Sequence, residues 1–151
     1  MKVTIQPGQG RSVSQLGIAL ICAVLLTGCA SAPQQPAVGL WELSSVDEVG
    51  VQTTTLQLGV VRLECSGGET GAVLEPDVTY QKDQILIRTD VEPLRGDAYD
   101  CRGNDTVPLT VQLSEPVGQR ELVDASCLEG EAVNTTFCED RGVRWSPQQE
   151  D

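Results

Sequence analysis

The chain has 151 residues, a net charge of −12 and no histidine. The acidity disfavours nucleic acid and electrostatic attraction to anionic lipid as partners. The missing histidine excludes Ser-His-Asp and Cys-His catalysis and histidine-ligated metals.

Lys2 and Arg11 are the only charged residues before Glu42, and they precede the apolar run LGIALICAVLL at residues 16–26. A basic stretch followed by a short apolar run has the form of a secretory signal. The run is shorter than the roughly 20 residues a membrane span needs. Leu26-Thr27-Gly28-Cys29 then matches the bacterial lipobox: aliphatic, small, small, cysteine. Small residues there let a processing peptidase close on the backbone. The Cys29 thiol is alkylated by a diacylglyceryl group before cleavage makes it the new N-terminus. Residues 1–28 are therefore expected to be a lipoprotein signal peptide, with Cys29 lipidated. A plain cleavage site at Ala30-Ser31-Ala32 is the competing reading. Acyl chains such as palmitate, at about 0.8 kcal/mol per buried methylene, give a lasting anchor. Losing residues 1–28 removes two positive charges and no negative one, so the net charge falls from −12 to −14.

Residues 29–37 read as the lipidated cysteine and a Pro/Gln/Ala tether. Residues 38–146 read as a single β-rich domain, and 147–151 as a frayed tail. Leu40-Trp41-Glu42-Leu43 forms a short entry strand. Residues 54–65 are strand-like but change phase: Leu56, Leu58 and Val60 share one face, while Val61, Leu63 and Cys65 share the other. Either Gly59 bulges at the change or both faces are covered. Residues 73–80 give a strand broken by Glu75-Pro76-Asp77. Ile85, Ile87, Thr89 and Val91 alternate with Leu86, Arg88 and Asp90, which predicts a strand with one buried face after a Lys82-Asp83 hairpin turn. Val107, Leu109, Val111 and Leu113 alternate with Pro108, Thr110 and Gln112. Pro108 lacks an N–H, so this strand begins there or lies at an edge. Residues 120–123 form a short late strand. Long amphipathic helix patterns are missing. The expected fold is all-β, a small antiparallel β-sandwich or barrel-like domain.

Cys22 leaves with the signal and Cys29 carries lipid. Cys65, Cys101, Cys127 and Cys138 remain, an even number that suggests two disulfides in an exported chain. Four cysteines allow three connectivities. Sequential pairing, Cys65–Cys101 with Cys127–Cys138, is the expectation, contributing about 4 and about 3 kcal/mol as upper values. With no CxxC spacing and no histidine, a zinc site is disfavoured.

Three segments carry a resemblance: Leu63-Glu64-Cys65-Ser66-Gly67-Gly68, Cys101-Arg102-Gly103-Asn104 with Val107-Pro108-Leu109-Thr110-Val111, and the run from Leu113 to Asp124, LSEPVGQRELVD. Together they resemble a family of small, uncharacterised exported proteins of high-GC Gram-positive bacteria. The match spans residues 56–127. It implies no transferable activity. It favours Cys65–Cys101, since both cysteines lie inside shared motifs, and a monoderm-type envelope with the anchor in the outer leaflet. In these motifs the glycines fit turns, Asn104 and Asp105 fit turn caps, and Arg120 with Asp124 is a candidate ion pair.

No phosphate loop or dinucleotide fingerprint is present. The best acidic cluster is Asp97, Asp100, Asn104 and Asp105, a weak calcium candidate because EF-hand spacing is missing and Arg102 interrupts it. No cofactor is expected. Asn104-Asp105-Thr106 and Asn134-Thr135-Thr136 match the N-glycosylation acceptor by chance. The sequence thus predicts an outward-facing cell-membrane lipoprotein with a non-catalytic binding or structural β-domain. Its partners would be the membrane, through lipid, and an envelope protein or glycan. The alternative is an envelope glycan-acting enzyme with paired carboxylates.

Overall fold

In a computed structural model, the described residues are 34–96 and 99–147. They belong to the compact unit Pro33–Asp151. Cys29 and the expected signal lie outside the described residues.

Seven strands form one mixed sheet: β1 (Ala37–Leu43), β2 (Thr55–Arg62), β3 (Asp77–Tyr80), β4 (Gln84–Val91), β5 (Val107–Gln112), β6 (Glu121–Asp124) and β7 (Val143–Trp145). The order is β5-β2-β1-β4-β6-β7, with β3 also on β4. No α-helix occurs among the described residues; the connections hold short 3₁₀ turns. The all-β expectation therefore holds at this level. The antiparallel expectation does not hold throughout, because β4 and β6 run parallel. Between them the chain crosses to the far edge to lay down β5 and then returns, so β6 enters in the direction of β4.

Alternation decides which face each residue takes. Leu56, Leu58 and Val60 of β2 point into the core, as do Ile85, Ile87 and Val91 of β4, and Trp41 joins them. Trp41 is wholly enclosed, and its Nε1–H donates to the Ile87 carbonyl at 2.8 Å. Such burial of an indole is stable because the polar edge finds an acceptor.

The phase change in β2 resolves into two covered faces. The register runs unbroken through Gly59 against both neighbours, over Leu58–Arg62 with β1 and Thr55–Val60 with β5, so Gly59 makes no bulge. On the other face, Leu40 packs with Cys127, Ala132 and Cys138, and Val38 and Leu63 lie against them. Three further expectations shift. Ala37 is not tether: it is buried and opens β1, paired with Val91. The entry strand is longer than four residues and lies between β2 and β4. Residues 73–80 give a strand only at Asp77–Tyr80, while Val73 makes an isolated bridge to Val91. β5 does lie at an edge, the position a prolyl residue tolerates.

Candidate functional site

The sequential cysteine pairing is the observed one. The Sγ atoms of Cys65 and Cys101 are 2.06 Å apart, and those of Cys127 and Cys138 are 1.95 Å apart.

Around Cys65–Cys101 the first two resemblance motifs meet, and their polar groups are spent on each other. The Asn104 carboxamide nitrogen donates to the carbonyls of Arg62 at 3.0 Å and Glu64 at 2.8 Å. Its oxygen accepts from the Ser66 hydroxyl at 2.7 Å and the Gly68 N–H at 3.3 Å. Thr70 accepts from the Arg62 N–H and donates to the Asp105 carbonyl. Arg62 lies at the inward-facing end of β2, buried. Its guanidinium donates to the carbonyls of Thr70 and Glu92 and to the Glu64 carboxylate. A buried charge needs such saturation. Among the described residues, the calcium candidates Asp100, Asn104 and Asp105 do not present a common set of oxygens. Asn104 is used up internally, and the Asp100 carboxylate grips exposed Arg102 on both oxygens. Asp97 lies outside the described residues. No group of three His, Cys, Asp or Glu side chains converges as a metal set among the described residues.

The third motif holds a different pair from the expected one. Arg120 donates to Glu115 and to the Pro116 and Val117 carbonyls, and its guanidinium lies 5.5 Å from the Tyr80 ring centre. Asp124 instead pairs with Arg144 of β7 at 3.2 Å. Arg120 and Asp124 are only four positions apart, but β6 carries Asp124 inward while Arg120 stays with the turn before it. Asp124 has no exposure and also accepts from the Trp41 and Ser126 N–H groups. Burial pushes its carboxyl above the usual range, against the pull of the two N–H groups and Arg144.

The second disulfide closes a loop of 3₁₀ turns over the outer face of β1. Thr135 N–H donates to the Ala132 carbonyl at 2.9 Å, and Arg144 donates to the Phe137 carbonyl at 2.8 Å. Leu128, Val133 and Phe137 project from the loop, exposed.

Open hollows mark the surface among the described residues. One of about 340 Å³ lies by Arg62, Glu64, Leu94 and Tyr99. One of about 500 Å³ lies over Gly67, Gly68 and Arg102. One of about 780 Å³ lies over Lys82, Gln84, Glu121 and Ser146. None is lined by Asp124.

Sequence reasoning did not single out Arg62 or Arg144, or the loop as a surface. Arg62 had a readable signal, since it continues the inward parity of Leu56, Leu58 and Val60. Arg144 had none, because β7 is three residues long. Among the described residues no helix is long and apolar enough to cross a membrane. No protein-family model, curated protein or solved structure matches the chain.

Proposed function

We propose that this protein is a lipoprotein of the bacterial cell membrane, facing outward on acyl chains at Cys29, whose β-domain binds an envelope macromolecule without catalysis. The lipobox LTGC after a basic and apolar leader supports the anchor. The resemblance of residues 56–127 to exported proteins of high-GC Gram-positive bacteria points the same way, as does cysteine pairing suited to an oxidising compartment. We read the curl of the sheet as barrel-like or sandwich-like. The Tyr80 hydroxyl of β3 accepts from the Ser114 N–H just beyond β5, drawing two edges of the sheet together.

The observation that carries the binding role is the loop Cys127–Cys138, fixed from within, with Leu128, Val133 and Phe137 exposed among the carboxylates of Glu129 and Glu131. Exposed apolar groups on a rigid support suit recognition by another macromolecule. The alternative, a glycan-acting enzyme, needs two carboxylates facing across a cleft. The carboxyl that burial pushes upward, Asp124, is fully enclosed and holds three partners.

Mass spectrometry of the mature N-terminus tests the anchor. Acylated Cys29 is the expected result, and a free amine at Ala30 or later overturns it. Incubation with isolated envelope glycans tests the alternative, with no fragments released as the expected result.

A further inference from the structure

Six large apolar or aromatic side chains are exposed among the described residues, and three of them share the Cys127–Cys138 loop. Phe137 is the chain's single phenylalanine, and it is 45% exposed rather than used in the core. Leu128 follows Cys127 and Phe137 precedes Cys138. The two cysteine Cα atoms are 5.1 Å apart, so the Cα atoms of Leu128 and Phe137 lie within about 13 Å. The loop's inner side is held by buried Ala132 and both cysteines. A surface already fixed loses little freedom when a partner covers it.

Charge decides what that partner is. Glu129, Glu131, Glu139 and Asp140 rim the loop, all exposed. Arg144 is occupied by Asp124, and Arg88, near enough to feel Glu129, is occupied by Asp90, which leaves Arg141 as the remaining cation beside the loop among the described residues. A second copy of the chain would bring the same acidic rim against itself. An anionic lipid surface would repel it. A polypeptide with lysine or arginine flanking an apolar stripe satisfies both the apolar centre and the acidic rim.

We infer that the Cys127–Cys138 loop is a docking surface for a basic, amphipathic segment of an envelope protein. The segment's apolar side covers Leu128, Val133 and Phe137, while its cations meet the surrounding carboxylates. This deepens the binding role proposed above and does not depend on the anchor.

The test uses the full lipidated protein in phosphatidylcholine discs, with empty discs as blank. The probes are two amphipathic peptides of the same apolar pattern, one leucine–lysine and one leucine–glutamate. The leucine–lysine peptide is expected to bind saturably, and the leucine–glutamate peptide is not. Phe137→Ser and Glu131→Lys should each weaken binding about tenfold or more. Val46→Ser, which removes an exposed side chain elsewhere, should leave it unchanged. Peptide mapping under non-reducing conditions checks that each variant keeps Cys127–Cys138. Should Phe137→Ser lose the bridge, Val133→Ser replaces it. Equal binding of both peptides, or no effect of the loop variants, overturns the proposal. A photo-crosslinker at position 137 in intact cells provides the second readout. Capture of a protein through a basic amphipathic segment is expected; capture of lipid, glycan or a second copy overturns the assignment. Acylated Cys29 without peptide binding would remove the docking surface and leave the anchor standing.

Discussion

Asp124 accepts the backbone N–H of Trp41 at 3.1 Å, across 83 positions of sequence. The bond sits where β1 parts from β4. Residues Ala37–Gly39 of β1 pair with Thr89–Val91, and further along the same side of β4 the partner becomes β6. Trp41 thus has a backbone donor facing a fork in the sheet, in a region closed to water. The carboxylate at the end of β6 takes that donor, caps the next turn through Ser126 at 3.0 Å, and is balanced by Arg144 at 3.2 Å. An enclosed donor left unpaired would cost about 1–3 kcal/mol.

Removing both members of this pair is expected to cost less than the two separate losses added together. Asp124→Ala leaves the Trp41 donor and the Arg144 cation unmatched. Arg144→Met leaves a buried carboxylate. Each should destabilise by about 3–5 kcal/mol. Arg144 Nε has no acceptor, so the pair is imperfectly satisfied even when intact. The double variant Asp124→Ala/Arg144→Met should therefore cost less than the two single losses together. Urea unfolding with an unchanged m-value measures this, and strict additivity would count against the coupling.

The same carboxyl predicts a pH effect. Its folded pKa lies above its ordinary value of 3.8, chiefly through burial. Between those two values the folded state binds more protons than the unfolded state. Its contribution to stability is therefore complete below the ordinary value and is lost as pH rises through the raised one. Asp124→Asn removes this slope. Denaturation midpoints of wild type and Asp124→Asn, compared upward from pH 3.8, should show the wild type losing ground relative to the variant. Parallel profiles would refute it.

Alternation makes much of the sheet legible in the sequence. The inward parity of Ile85, Ile87, Thr89 and Val91 needs only the period of a strand, and all four are buried. Pro108 marked an edge because a missing N–H is a local fact. The parallel placement of β6 was not readable, since direction follows from the route of the chain and leaves no trace in a four-residue segment. The pairing of Asp124 with Arg144 was hidden for a related reason: nearness in sequence favoured Arg120, while the strand path favoured a residue 20 positions on. The apolar loop was missed because its exposed residues show no period; only its disulfide and its 3₁₀ turns set which side chains face out.

Asn104 is expected to behave as a structural clasp rather than a metal ligand. All four of its hydrogen bonds go to residues 62–68. Asn104→Ala strands the part-buried Arg62 carbonyl, while water reaches that of Glu64, and should cost about 1 kcal/mol. Millimolar calcium should leave the melting temperature of the wild type unchanged. A calcium-dependent rise that Asn104→Ala abolishes would reverse this assignment.

Gly142 isolates one contact beneath the docking loop. Its φ is +74°, and an added Cβ would stand 2.5 Å from the Cys127 Cβ and 2.8 Å from the Asp124 carbonyl oxygen. Its own carbonyl accepts the Asp124 N–H at 2.8 Å. Gly118 shares the left-handed backbone, with φ +65°, but an added Cβ there meets nothing closer than 3.9 Å. Alanine at either site carries the conformational penalty of about 1–2 kcal/mol. Only Gly142→Ala must also push Cys127 and the end of β6 apart, which disturbs the disulfide loop and the Asp124 fork together. Urea unfolding should therefore rank Gly142→Ala well below Gly118→Ala in stability. Equal losses would mean that the backbone around Cys127 yields freely, and that the loop is not held from below as its buried cysteines and Ala132 imply.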